Sequence, residues 1–118
     1  MADPAVHNPS VLVNGTLLPT SAATAYTSPS GAGTRGTRIN KLTLTNVTAA
    51  AVKVTVYLVE SGDTASSEDN VILTYIPSDG MPVEFLVGEI LDPGDFVSWL
   101  ADTVSAVVGR LTGWEMTD

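Results

Sequence analysis

From residue 38 to residue 60 the chain reads RINKLTLTNVTAAAVKVTVYLVE, with apolar and polar positions alternating along much of it. In the second half, Val52, Val54, Val56 and Leu58 fall on one side of an extended chain, and Lys53, Thr55, Tyr57 and Val59 on the other. A period of two in β-branched residues marks a strand with one face buried. Two strands are predicted, over 38–47 and 52–60, joined by a short Thr/Ala turn. Upstream, Asn14-Gly15 lies between the apolar runs Val11-Leu12-Val13 and Leu17-Leu18, which predicts a hairpin because both residues accept the positive φ of a type I′ turn. Residues 20–28 read as a strand or coil of small residues, and 29–36 as a flexible loop. Residues 62–69 form a polar loop, and 70–76 and 82–87 are strands around Pro77-Ser78-Asp79-Gly80. Pro82 fits a strand start or an edge, since it has no N–H for a ladder. Leu91-Asp92-Pro93-Gly94-Asp95 is a tight turn with Pro and Gly suited to the central positions of type II. Strands over 96–101 and 104–116 complete the set.

Short strands with frequent turn signals and no helical period predict an all-β fold, a single antiparallel β-sandwich or jelly-roll-like domain. The expected division is an extended N-terminal arm over 1–10, punctuated by Pro4 and Pro9, and a sandwich domain over 11–118. A chain of 118 residues buries roughly two-thirds of its unfolded surface, enough for one core. Cysteine is absent, which excludes disulfides and zinc–thiolate sites. No apolar run reaches the roughly 18 residues of a membrane-spanning helix, so no membrane partner is expected. The opening Met-Ala-Asp-Pro lacks the basic and apolar regions of a secretory signal. The expectation is a product made and kept in a cytoplasm, unless it leaves inside a larger particle.

Charge sharpens the picture. The net charge is −8, which argues against nucleic acid as a partner. Arg35, Arg38, Lys41 and Lys53 lie close together, whereas 60–102 holds many acids and no base. The ordinary account is a solvated acidic surface. The sharper one pairs the basic patch of one copy with the acidic face of a neighbour.

Catalytic constellations fail one by one. Gly31-Ala32-Gly33-Thr34-Arg35-Gly36 spells G-x-G-x-x-G, but Thr27-Ser28-Pro29-Ser30 precedes it and a strand follows, where a dinucleotide site needs a strand and then a helix. His7 is the sole histidine and sits in the arm, so a triad has no base near the fold. Glu60, Asp63, Glu68 and Asp69 lack the spacing of a calcium loop, and Glu84 with Glu89 is an uninformative pair in so acidic a chain. Asn14-Gly15-Thr16 and Asn46-Val47-Thr48 match the glycosylation sequon but read as turns. Trp99, Trp114, Tyr26, Tyr57 and Tyr75 are expected in the core or an interface rather than on a sugar platform. Trp99 lies in Phe96-Val97-Ser98-Trp99-Leu100, apolar on both faces, as expected of a central strand or one covered by a partner. No enzyme activity, cofactor, catalytic residue or metal ligand is expected.

The run Tyr26-Thr27-Ser28-Pro29-Ser30-Gly31, then residues 37–46 (TRINKLTLTN), a Val-rich strand and Leu91-x-Pro93-Gly94-Asp95 resembles small virion-associated β-sandwich proteins of tailed bacteriophages. These decorate capsids, sit at the base of head fibres or attach to tails. The resemblance spans most of the chain from about residue 10 onward and rests on strand order and composition. It implies a non-enzymatic structural protein of the virion, assembled in the bacterial host cytoplasm. A capsid decoration (cement) or head-surface role is expected, with the protein's partners being itself, as a trimer or higher oligomer, and other virion proteins such as the major capsid protein. The alternative is a carbohydrate- or receptor-binding module of a tail or fibre. Strand edges and the arm would make the contacts, and the residues expected there are Pro4, Val6, His7, Pro9, Arg35, Arg38 and Lys53.

Overall fold

The computed structural model describes residues 6–66, 70–78, 80, 82–85 and 88–118, with 6, 7, 70 and 71 described by backbone alone. Nine strands follow in order: β1 (Val6–Leu17), β2 (Ala23–Thr27), β3 (Thr34–Asn46), β4 (Val52–Val59), β5 (Asn70–Ile76), β6 (Val83–Phe85), β7 (Ile90–Leu91), β8 (Phe96–Ala101) and β9 (Val107–Thr117). The first half of the chain pairs with the second: β1 with β9, β2 with β8, β3 with β6 and β7, β4 with β5. Wrapping that long antiparallel ribbon adds the pairs β9·β3 and β8·β4. One sheet then runs β1-β9-β3-β6, with β7 also on β3, and the other runs β2-β8-β4-β5. This is the strand order of a jelly roll, one of the two forms of sandwich expected.

The interior is built by alternation. Ile39, Leu42, Leu44, Val107 and Leu111 face inward from one sheet, and Val52, Val54, Val56, Ile76, Val97, Trp99 and Ala101 from the other. Burying each such aliphatic side chain contributes about 1.5–3 kcal/mol. The period of two read over 52–59 holds from 52 to 56; past the register shift between Val56 and Tyr57, Val59, expected on the outer side, is buried and Leu58 is half-buried. Thr55 is buried as well, because on the outer face it lies between Leu100 of β8 and Leu73 of β5. Trp99 is buried in β8, the second strand of its four-stranded sheet, as its two-sided apolar run predicted. Its six-membered ring reaches across the sandwich to β9. A Cβ placed on Gly109 would lie 2.6 Å from Trp99 Cζ3 and 2.9 Å from Leu18 Cδ1, so only glycine leaves the indole room.

Several expectations are corrected. Of the extended arm expected over 1–10, residues 6–10 are the first part of β1 and pair with β9 from Thr117 to Gly113, and 1–5 lie outside the described residues. Asn14-Gly15 does not close a hairpin. β1 runs through it and absorbs the extra residues as bulges, with register shifts between Val11 and Val13 and between Val13 and Thr16. The strands predicted over 38–47 and 52–60 exist as β3 and β4 but lie in opposite sheets. Their connection is organised by buried Asn46, whose Nδ2 donates to the carbonyls of Ala50 (2.7 Å) and Ile76 (3.0 Å) and whose Oδ1 accepts from the Thr48 amide (2.9 Å). The turn at 92–95 forms as predicted: the Asp95 amide donates to the Asp92 carbonyl at 3.0 Å, with Gly94 at φ 87°. β5 and β8 have the predicted bounds, the strand expected over 82–87 is described as β6 (Val83–Phe85) with 86 and 87 lying outside the described residues, and β7 was not foreseen.

Candidate functional site

Register sorts the outward side chains of the larger sheet. In β9, Gly109, Leu111 and Gly113 are buried, so Arg110, Thr112, Trp114 and Met116 face out. Across the β3 ladder Arg38 lies opposite Trp114, Lys41 opposite Thr112, and Thr43 opposite Arg110. On the other flank Pro9 is opposite Trp114 and Val11 opposite Thr112. Cross-strand rows result: Pro9–Trp114–Arg38, then Val11–Thr112–Lys41. The Arg38 guanidinium stands 5.7 Å from the centroid of the Trp114 ring, a cation–π contact. Lys41 Nζ meets Glu84 of β6 at 3.2 Å. This face thus carries three of the chain's 5 cations, Arg38 and Lys41 in the rows at half-buried Trp114 and Arg110 further along β9, in a molecule whose net charge is −8.

The expected contact residues divide accordingly. Pro9 and Arg38 share one row of this face. Arg35 lies just before it in β3 and is ion-paired with Asp118 beyond the end of β9. His7 is in register with Met116 and Val6 with Thr117, both at the same end of the sheet. Pro4 lies outside the described residues. Lys53 is elsewhere: it sits on β4 in the other sheet, opposite Tyr75, and its amide and carbonyl bond to Asp102. Lys41 was read as part of the basic patch and Trp114 as a core or interface residue, but neither they nor Arg110 were among the expected contact residues. The alternation of β9 alone places Arg110 and Trp114 on one side, but their meeting with Arg38 and Lys41 needs the β3–β9 register.

At the same end, inside the sandwich, Thr37 Oγ1 shares hydrogen bonds with Tyr26 Oη (3.0 Å) and Ser28 Oγ (2.9 Å). Burial pushes the Tyr26 hydroxyl above the ordinary tyrosine range; the bond to Thr37 offsets part of this and the Glu115 carboxylate adds to it. The three hydroxyls thus satisfy one another at this end of the sandwich. Asp95 is similarly occupied, its Oδ1 accepting from the Ser61 amide (3.0 Å) and its Oδ2 from the Asp92 amide (3.2 Å). Among the described residues no three His, Asp or Glu side chains gather as a metal site. The G-x-G-x-x-G segment has all three glycines at positive φ and runs directly into β3, which holds its last three residues with Gly36 against the Leu91 carbonyl, so a strand and not a helix follows it.

A shallow pocket of about 270 Å³ lies where residues 63–65 fold back over Ala23, Phe96 and Ser98. It is at the lower limit of small-molecule sites, and its one charged lining group is Asp63. The large aromatics do not converge: Trp99 is in the core, Tyr26 is turned inward, Tyr75 is exposed on β5, and Trp114 is on the opposite sheet. Comparison with known proteins finds no matching family model, no matching curated protein and no matching solved structure.

Proposed function

We propose that this protein is a non-enzymatic structural component of a tailed-phage virion, seated on the head surface as a decoration protein, and that it meets its partner through the outer face of the β1-β9-β3 sheet. The observation that carries the proposal is the placing of Arg38, Lys41 and Arg110 on the same outer face as Pro9, Val11 and Trp114, on one sheet of an otherwise acidic jelly roll. Tryptophan and arginine are enriched among the few residues that dominate the energy of protein interfaces, where they combine large contact area with hydrogen-bond donors. The complementary partner is an acidic surface with an apolar depression, such as the major capsid protein would offer. On a repetitive shell many such contacts act together, and avidity holds each copy without a strong individual site.

The test is to express the chain together with the structural genes that flank its own and to purify assembled particles on a density gradient. A fixed number of copies per particle, resistant to repeated banding, is the expected result. Particles that form and band without the protein would contradict the proposal.

A further inference from the structure

The two sheets present four edges, and three are guarded. β1 carries Pro9 and two bulges. On the far side of that sheet the edge is shared between β6 and β7, which span 3 and 2 of the described residues. In the other sheet β2 has 5 residues and a register shift between Thr24 and Tyr26. The remaining edge, β5, is 7 residues of sequence NVILTYI, without a charge, a proline or a glycine. Among the described residues β4 is its sole pairing partner. Natural sheets blunt such edges with charge, proline or bulges, because an open row of backbone donors and acceptors recruits another strand.

We infer that β5 is a self-association site, at which the β5 strands of two copies pair antiparallel across a two-fold axis and join their four-stranded sheets into one. The occupant is a second copy because of what the segment lacks. A two-fold sets each residue opposite one from the same segment, so any charge would bring a like charge near it. β5 has none, although the chain as a whole carries −8. The outward side chains fit as well. Leu100, Thr55 and Leu73 form one cross-strand row that ends at the β5 edge, where Leu73 is 56% exposed. Pairing centred there stacks Leu73 on Leu73 of the partner subunit and makes the row continuous. Tyr75, 63% exposed, flanks it. The site is independent of the virion reading, because it lies on the sheet opposite the cationic face.

Sedimentation velocity of the full chain over a range of concentrations, at about 0.1 M and about 1 M NaCl, tests it, since salt shortens the screening length from about 10 Å to about 3 Å. The expected result is a monomer–dimer equilibrium that strengthens with salt, as repulsion between acidic copies is screened. Leu73→Lys should weaken dimerisation by about tenfold or more by setting two ammonium groups face to face. Leu17→Lys, an equally simple change at an exposed leucine of β1, should leave it unaltered. Tyr75→Lys serves as the second edge variant should Leu73→Lys lose its cooperative melting. A wild-type chain that stays monomeric at both salts, association that weakens with salt, or dimers untouched by the β5 variants would each overturn the inference. Weakening with salt would assign self-association to the cationic face instead.

Discussion

The sheet built on β9 and the sheet built on β8 meet the interior in complementary ways: β9 sets Gly109 where β8 sets Trp99, and Leu18 closes the same spot. Turned outward, they differ. β9 and its neighbours present cations around Trp114, whereas β4, β5 and β8 present Leu73, Tyr75 and Leu100 with Lys53 as their cation. Inside, each side chain is constrained by volume and by hydrogen bonds that must close. Outside, the chain is free to choose, and what it has chosen differs between the sheets. Inward changes should therefore cost stability and outward changes association.

The inward limit is the steepest. Trp99→Ala should lower the unfolding free energy by about 3–5 kcal/mol, the range for truncating a buried large aromatic, as read by urea titration. Gly109→Ala should cost about 1–3 kcal/mol by overpacking. In a Trp99→Leu background that penalty should shrink, because the atoms that the new methyl would strike are gone; equal penalties in both backgrounds would show that the two sites are uncoupled. Asn46→Ala should cost about 1–3 kcal/mol, since it removes the buried bond to the Ile76 carbonyl and frees the Thr48 amide, while the Ala50 carbonyl keeps the Thr48 hydroxyl.

Tyr26 gives a smaller, pH-dependent effect. Its hydroxyl titrates higher in the folded chain than in the unfolded one. Above about pH 10 the unfolded state loses that proton first, so stability is full below that pH and falls as pH rises through the folded value. Tyr26→Phe should flatten this alkaline decline in a pH series of denaturant midpoints. Smallest of all, Arg110→Glu should change the unfolding free energy by less than about 0.5 kcal/mol because the side chain is exposed, and Arg38→Glu by no more than about 1 kcal/mol because it also gives up the contact with the Trp114 ring. A large loss there would erase the distinction between inward and outward residues.

Strand existence was legible because alternation in 52–56, two-sided apolarity in 96–100 and the Pro93-Gly94 turn are local signals with local causes. Pairing was not. Asn14-Gly15 has the chemistry of a hairpin turn, yet β1 continues through it because β9, nearly a hundred residues downstream in sequence, offers a longer ladder than Leu17-Leu18 could. The strands at 34–46 and 52–59 look like a hairpin because their connection is short, but Asn46 bends it from one sheet to the other. The candidate site shares that limit. Arg38 and Pro9 were visible as a basic residue and a proline, and Lys53 looked equivalent to Arg38. Only the β3–β9 register shows that Trp114 and Arg110 join Arg38 while Lys53 faces away.

The division between faces is tested most directly by counting copies per purified particle for wild type, for the Arg38→Glu/Arg110→Glu chain and for Lys53→Glu, each first checked for cooperative melting. The account predicts wild-type occupancy for Lys53→Glu and near-complete loss for the double reversal. Equal retention of both variants, or equal loss of both, would contradict it.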